Sequence, residues 1–250
     1  MSLLILLLLL AGAAASAHWK KLTPAAALIG FIIGGLVYMG SSSTGLLLLA
    51  LFFVLGTAAT AWRKRDKLRI KGSAAHQPTR TTGQVIANGG VAAILGALAA
   101  LLPADKPLFT LLIAASLSSA TADTLSSELG ILYGRRTFNI LTGKREEKGL
   151  DGVISLEGLL IGIAGSAVIA AVWLALNGPA ATQRSAGWPA MPSALRSAGI
   201  IVLAGLFGNL ADSFLGATLE RKGALSNNAV NFCNTLIAAL FAGALTGFHG

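Results

Sequence analysis

The sequence predicts an all-α fold: a polytopic transmembrane bundle of about eight helices with both termini outside. Three observations predict it. Of 250 residues, 54% are hydrophobic and 12% charged, about half the charged share of a soluble domain. Mean hydropathy is +0.74. Several apolar runs approach or exceed the roughly 20 residues that cross a bilayer. No soluble domain fits between the runs, so residues 1–250 read as a single integral membrane domain.

Each span rests on its own run and punctuation. "MSLLILLLLLAGAAASA" gives a span over 2–17. It looks like a signal peptide, but it lacks a basic n-region and is followed by "HWKK", so it reads as a retained first helix. "GSSSTG" separates spans 22–39 and 45–62, and "PADKP" separates 84–102 from 108–133. The Pro/Gly/Ser-rich "NGPAATQRSAGWPAMPSALRS" separates 153–176 from 198–219, and 229–247 closes the chain. The lone Cys233 excludes an internal disulfide and reads as a small apolar packing residue.

The net charge is +9, and its placement is informative. Sixteen of the 19 Lys and Arg fall in alternate loops: Lys20–Lys21, residues 63–80, residues 135–148 and Arg221–Lys222. The other side holds Lys106, Arg184 and Arg196. This bias puts the basic loops in the cytoplasm. The charge therefore reads as orientation and contact with anionic membrane lipids, with no nucleic-acid partner expected. A bacterial inner membrane is the expected location, with the active site at the cytoplasmic face. The 63–71 cluster shows no chemistry in its spacing, and Lys64 and Lys67 read as exposed.

Two carboxylates lie deep in apolar runs, Asp123 in span five and Asp212 in span seven. A charge at mid-helix costs about 2.5–3.5 kcal/mol on insertion scales and faces a polar cavity or a partner. "ADTLSSELG" and "ADSFLGATLE" share a pattern: Ala-Asp-Thr/Ser, a small residue at i+4, then an acid. Asp123, Ser127, Gly130 and Gly134 share one helix face, as do Asp212, Gly216 and Glu220. Glu128 lies about 140° round from Asp123, so on a straight helix it has a different job. Oxygen ligands without His or Cys favour Mg²⁺ or Mn²⁺ held by Asp123 and Asp212. The scattered His18, His76 and His249 suggest no zinc site.

The loop "GRRTFNILTGKREEKGLDGVISLEG" combines Arg135, Arg136, Lys144, Arg145 and Lys148 with five glycines and Asn139. Basic side chains neutralise phosphate, and glycine lets backbone N–H groups approach it. The loop is neither a Walker nor a Rossmann motif. An ordinary basic loop needs neither the glycines nor Phe138 and Asn139. Polar islands begin two further helices: Gln84 and Asn88 at i, i+4, and Asn227, Asn231 and Asn234 at i, i+4, i+7. Their amides suit either substrate oxygens or interhelical hydrogen bonds.

"TTGQVIANGG", "ADTLSSELG", "KGLDGVISLEG" and "NNAVNFCNTLIAAL" together resemble the integral-membrane family that contains plant phytyl-phosphate kinase. The "ADT-x-SSE-x-G" pattern is also similar to CTP-dependent polyprenol kinases and, more distantly, to CDP-lipid synthases. The motifs span a family-like catalytic core over about 80–245. The resemblance implies transfer from CTP or another NTP to a phytyl or prenyl monophosphate. It picks out Asp123, Ser127, Glu128 and Asp212, with Asn231 and Asn234. It also picks out the glycine-rich segment with Gly149, Gly152 and Ser155. Asp151 stands where the family pattern has Asn, and Asn227-Asn228 where it has Asn-Asp. Both departures bear on nucleotide preference. The alternatives are a cytidylyltransferase making a CDP-lipid and an ion-coupled transporter using the two aspartates. A homodimer is compatible with either enzyme reading.

Overall fold

A computed structural model describes residues 2–70, 79–178 and 194–247. The chain is mostly helical. Helices α1 (Leu3–His18), α2 (Pro24–Ala61), α3 (Lys64–Lys67), α4 (Thr82–Leu101) and α5 (Lys106–Tyr133) come first. Strands β1 (Thr137–Asn139) and β2 (Val153–Ser155) follow, then α6 (Leu156–Leu176), α7 (Ala194–Leu215) and α8 (Asn227–Gly247). Six helices are long and apolar enough to cross a membrane: α2, α4, α5, α6, α7 with its C-terminal extension, and α8. The chain is an integral membrane protein.

The longest helix is not straight. Ser42 has φ 56° and ψ −144° in the middle of α2, within the predicted "GSSSTG" break. Leu46 Cδ1 lies 3.7 Å from where a Cβ on Gly34 would stand. Twelve residues of straight helix would separate them by about 18 Å, so the chain doubles back. Phe53 accordingly packs on Leu22, Ala26 and Ala27. Lys106 Nζ donates to Ser42 Oγ at 3.2 Å, which puts the α2 bend and the α4–α5 turn at one end. At the other end Thr23 N–H donates to the Arg80 carbonyl at 3.1 Å and Arg80 N–H to the Lys21 carbonyl at 2.9 Å.

α5 is the hub, packed against α2, α4, α6, α7 and α8. Its sequence explains why. Ala114, Ala115, Ser116, Ser118, Ser119, Ala120 and Ala122 are all fully buried, and small residues let helix backbones approach closely in a membrane. Ser118 Oγ donates to the Ile201 carbonyl at 3.0 Å and Ser119 Oγ to Asn234 Oδ1 at 3.1 Å. Ser118 and Ser119 thus fasten helices together.

The all-α expectation needs one correction. β1 and β2 form an antiparallel ribbon with Thr137, Phe138 and Asn139 opposite Ser155, Ile154 and Val153. β-branched and aromatic residues at these positions favour extended backbone. The sixth span therefore starts at Leu156 rather than 153, where Ser155 Oγ accepts from Gly158 N–H at 3.0 Å as an N-cap.

Candidate active site

A cavity of about 610 Å³ opens between α2, α4, α5, α7, α8 and the ribbon. Asp123 and Asp212 line it, on α5 and α7. The two carboxyls lie close enough to act on each other electrostatically. Like charges facing one cavity repel, and a cation bound between them relieves that repulsion. Asp151 and Glu220 lie near enough to add negative potential. Among the described residues, no three His, Cys, Asp or Glu are arranged to hold a metal by themselves. A paired carboxylate site completed by water and substrate phosphate is the usual habit of Mg²⁺, and the oxygen-only donors fit it.

The pair is held from both sides. Ser127 Oγ donates to the Asp123 carbonyl at 2.7 Å and lies 3.4 Å from Asp123 Oδ1. Asn234 Nδ2 donates to Asp212 Oδ1 at 2.8 Å. Asn231 Nδ2 donates to Asn227 Oδ1 at 3.1 Å, and Asn234 Nδ2 also approaches Asn231 Oδ1 at 3.4 Å. The predicted amide face of α8 is thus a chain running to Asp212. Asn227 and Asn231 line the cavity, whereas the fully buried Asn234 stands behind its wall and orients Asp212. Four residues past Asp212, α7 widens into a π-turn, Gly216–Glu220, a feature that recurs at functional sites.

The ribbon loop closes over this turn. Gly149 has φ 85° and Gly152 φ 71°, both in the left-handed region that favours glycine. A Cβ on Gly152 would collide with Ala217 in the π-turn. Arg221 Nη2 donates to Glu146 Oε2 and Arg221 Nε to the Asp151 carbonyl, each at 2.6 Å. The Arg221 hydrogen bond, helped by one from Asn139, holds the Glu146 carboxyl below the usual glutamate range.

Sorted by position, the predicted loop residues divide. Lys148, Gly149, Gly152 and Ser155 line the cavity. Arg135, Arg136, Lys144 and Arg145 are exposed and do not. Arg135 and Arg136 precede β1, and Lys144 and Arg145 lie in the connecting stretch between the two strands. Asn139 is buried and organises the turn: its Oδ1 accepts from Leu141 and Thr142 N–H, and its Nδ2 donates to Glu146. Gln84 and Asn88 line the cavity, and Gln84 Oε1 also caps Thr81 N–H at 2.9 Å.

Glu128 lies on the cavity wall with both oxygens engaged. Oε2 takes Lys67 Nζ at 2.7 Å and Oε1 takes Thr60 Oγ1 at 2.7 Å. The expectation that Lys67 is exposed is wrong. It is 2% exposed, because α3 folds back on the end of α2 and Lys67 Nζ also reaches the Ala59 carbonyl. His76, His249 and Arg184 lie outside the described residues. The cavity also holds Arg80, Asn209 and Asn228, which sequence reasoning passed over as site residues. Arg80 directly precedes the polar "TTGQ" start of α4, a signal that charge counting obscured.

Fold and site define a class: an integral membrane helix bundle with a polar cavity at its basic end and a carboxylate pair within it. The chain belongs to the integral membrane protein family DUF92, which it matches over residues 6–239. It is similar to Protein VTE6, chloroplastic, of Arabidopsis thaliana, at 31% identity over 88% of this chain and 64% of that protein. It is also similar to the uncharacterized membrane protein MJ0933 of Methanocaldococcus jannaschii, at 33% identity over 86% of this chain and 80% of that one. Protein PGR of Arabidopsis thaliana is 27% identical over 88% and 87% of the two chains. This chain therefore spans just under two thirds of the VTE6 protein. No solved structure matches it.

Proposed function

We propose that the chain is a membrane-embedded isoprenoid-phosphate kinase, moving a phosphoryl group from CTP or another NTP to a phytyl or prenyl monophosphate. The observation that carries the reading is the Asp123–Asp212 pair beside the Gly149–Gly152 segment in one cavity. Membership of a family whose motifs resemble those of plant phytyl-phosphate kinase supports the substrate class.

Asp123 and Asp212 would hold Mg²⁺ or Mn²⁺. Bound there, the ion would neutralise charge on the transferring phosphoryl group. The protein's own share is positioning and electrostatics, the main demands of phosphoryl transfer. Lys148 supplies a cation at the rim and the Gly149–Gly152 backbone a close approach for phosphate. Asn234 and Ser127 keep the two carboxyls in register. Full-length protein in detergent, given labelled NTPs and a panel of isoprenoid alcohols and monophosphates, tests the reading. Nucleoside diphosphate release with a prenyl monophosphate is expected. Pyrophosphate release would make the chain a cytidylyltransferase instead.

The reading includes an eight-crossing topology, with α1 and the two arms of α2 each crossing and both termini outside. Hydrogen bonds that join the basic loops to one another, Arg80 to Lys21 and Arg221 to Glu146, support it. A Cys placed at Lys144 should then be labelled from the cytoplasmic side alone.

A further inference from the structure

Arg80 has a setting that its loop position does not suggest. Its guanidinium carbon lies 5.2 Å from the centre of the Phe52 ring, and a terminal nitrogen lies where a Cβ on Gly56 would be. The same Gly56 position touches the Thr124 methyl, next in sequence to Asp123. Gly56 and Phe52 stand five and nine residues before the end of α2, which is about 7–14 Å inward along the helix. The side chain thus reaches from the loop down into the bundle, to the level of the acid pair.

Among the described residues, the guanidinium makes no hydrogen bond or ion pair. Glu128, the acid that acts on it electrostatically, is held by Lys67 and Thr60. A cation inside a membrane bundle is costly unless something balances it. Arg80 nevertheless lines the cavity, with its planar fork of donors turned to no described acceptor.

We infer that Arg80 is the binding residue for the phosphate of the lipid acceptor. The inference rests on the kinase reading and deepens it. The geometry separates two anion positions. Lys148 and the ribbon glycines serve the rim, which a water-borne nucleotide reaches. Arg80 serves the depth beside α2, which a phosphomonoester on an apolar tail reaches. A guanidinium binds a phosphate through two parallel hydrogen bonds, which an alcohol cannot match. Arg80 would therefore also select monophosphate over free prenyl alcohol.

The test is calorimetry on full-length protein in detergent with Mg²⁺. The probes are a ten-carbon prenyl monophosphate, the matching alcohol and, separately, CTP. Arg80→Gln should weaken monophosphate binding about ten- to a hundredfold, as loss of a charge-assisted contact implies. Affinity for the alcohol and for CTP should not move, and Arg80→Lys should fall between. Gly56→Ala keeps the charge but displaces the guanidinium, so it should weaken the monophosphate alone and covers the case in which Arg80→Gln does not fold. Wild-type monophosphate affinity in both Arg80→Gln and Gly56→Ala overturns the inference and leaves the kinase reading standing. A loss confined to CTP overturns it too, by placing Arg80 on the nucleotide. If the wild type binds neither CTP nor monophosphate, the kinase reading fails with it.

Discussion

At the residue scale the account turns on which charges face the cavity. Asp123→Asn and Asp212→Asn should each cut kcat/KM by about 10²–10³-fold or more, the scale seen when one preorganised electrostatic contact is removed. Neither should lower thermal stability, because each replaces one of two facing carboxyls with a neutral isostere. A variant that melts early instead would mark a packing role. Lys148 and its outward neighbours make a second comparison. Lys148→Ala should cost about ten- to a hundredfold in kcat/KM, from a charge-assisted contact worth about 1.5–3 kcal/mol. Arg135→Ala and Lys144→Ala should cost little, since both point to solvent. Equal and mild effects at all three positions would reduce the loop to surface charge.

At the element scale, two attachments hold the site's walls. The first is Lys67–Glu128, which pins the short α3 to α5 at 2.7 Å with both side chains buried. Breaking one partner of a buried pair costs about 3–5 kcal/mol. Lys67→Ala should therefore lower the unfolding temperature sharply, and Lys64→Ala, on the exposed side of the same helix, should not. The second is Glu146–Arg221, which ties the ribbon to the end of α7. Arg221 holds the folded Glu146 carboxyl below its ordinary value. Its contribution is therefore complete above the unfolded glutamate pKa, about 4.3, and is lost as pH falls through the folded value. A spin label at Thr142 should gain mobility on acidification below that range, and Glu146→Gln should make it mobile at every pH. An identical pH response in the variant would place the titration elsewhere.

At the scale of the whole molecule, most of the architecture was legible because membrane spans are written in long apolar runs and their breaks. The acid pair was legible because carboxylates are expensive in such runs, and the α8 amides because they recur at helical spacing. Other features depended on contacts between distant segments. Lys67 is buried because α3 folds back toward Glu128, 61 residues away. Arg80 enters the bundle because its backbone pairs with the Lys21–Thr23 segment. The exposure of Arg135, Arg136, Lys144 and Arg145 was not legible, because the ribbon they flank has strands of three residues, too short to show periodicity.

The central claim is that the cavity moves the terminal phosphoryl group of a nucleotide onto a lipid monophosphate. Its most direct test follows the γ-phosphate of labelled CTP through full-length protein with Mg²⁺ and a prenyl monophosphate. Label should appear in the lipid diphosphate, with unlabelled CDP released in equal amount, and Asp123→Asn should form both products at least about a hundredfold more slowly. Label recovered in pyrophosphate, or remaining in CTP while the lipid is unchanged, would contradict it.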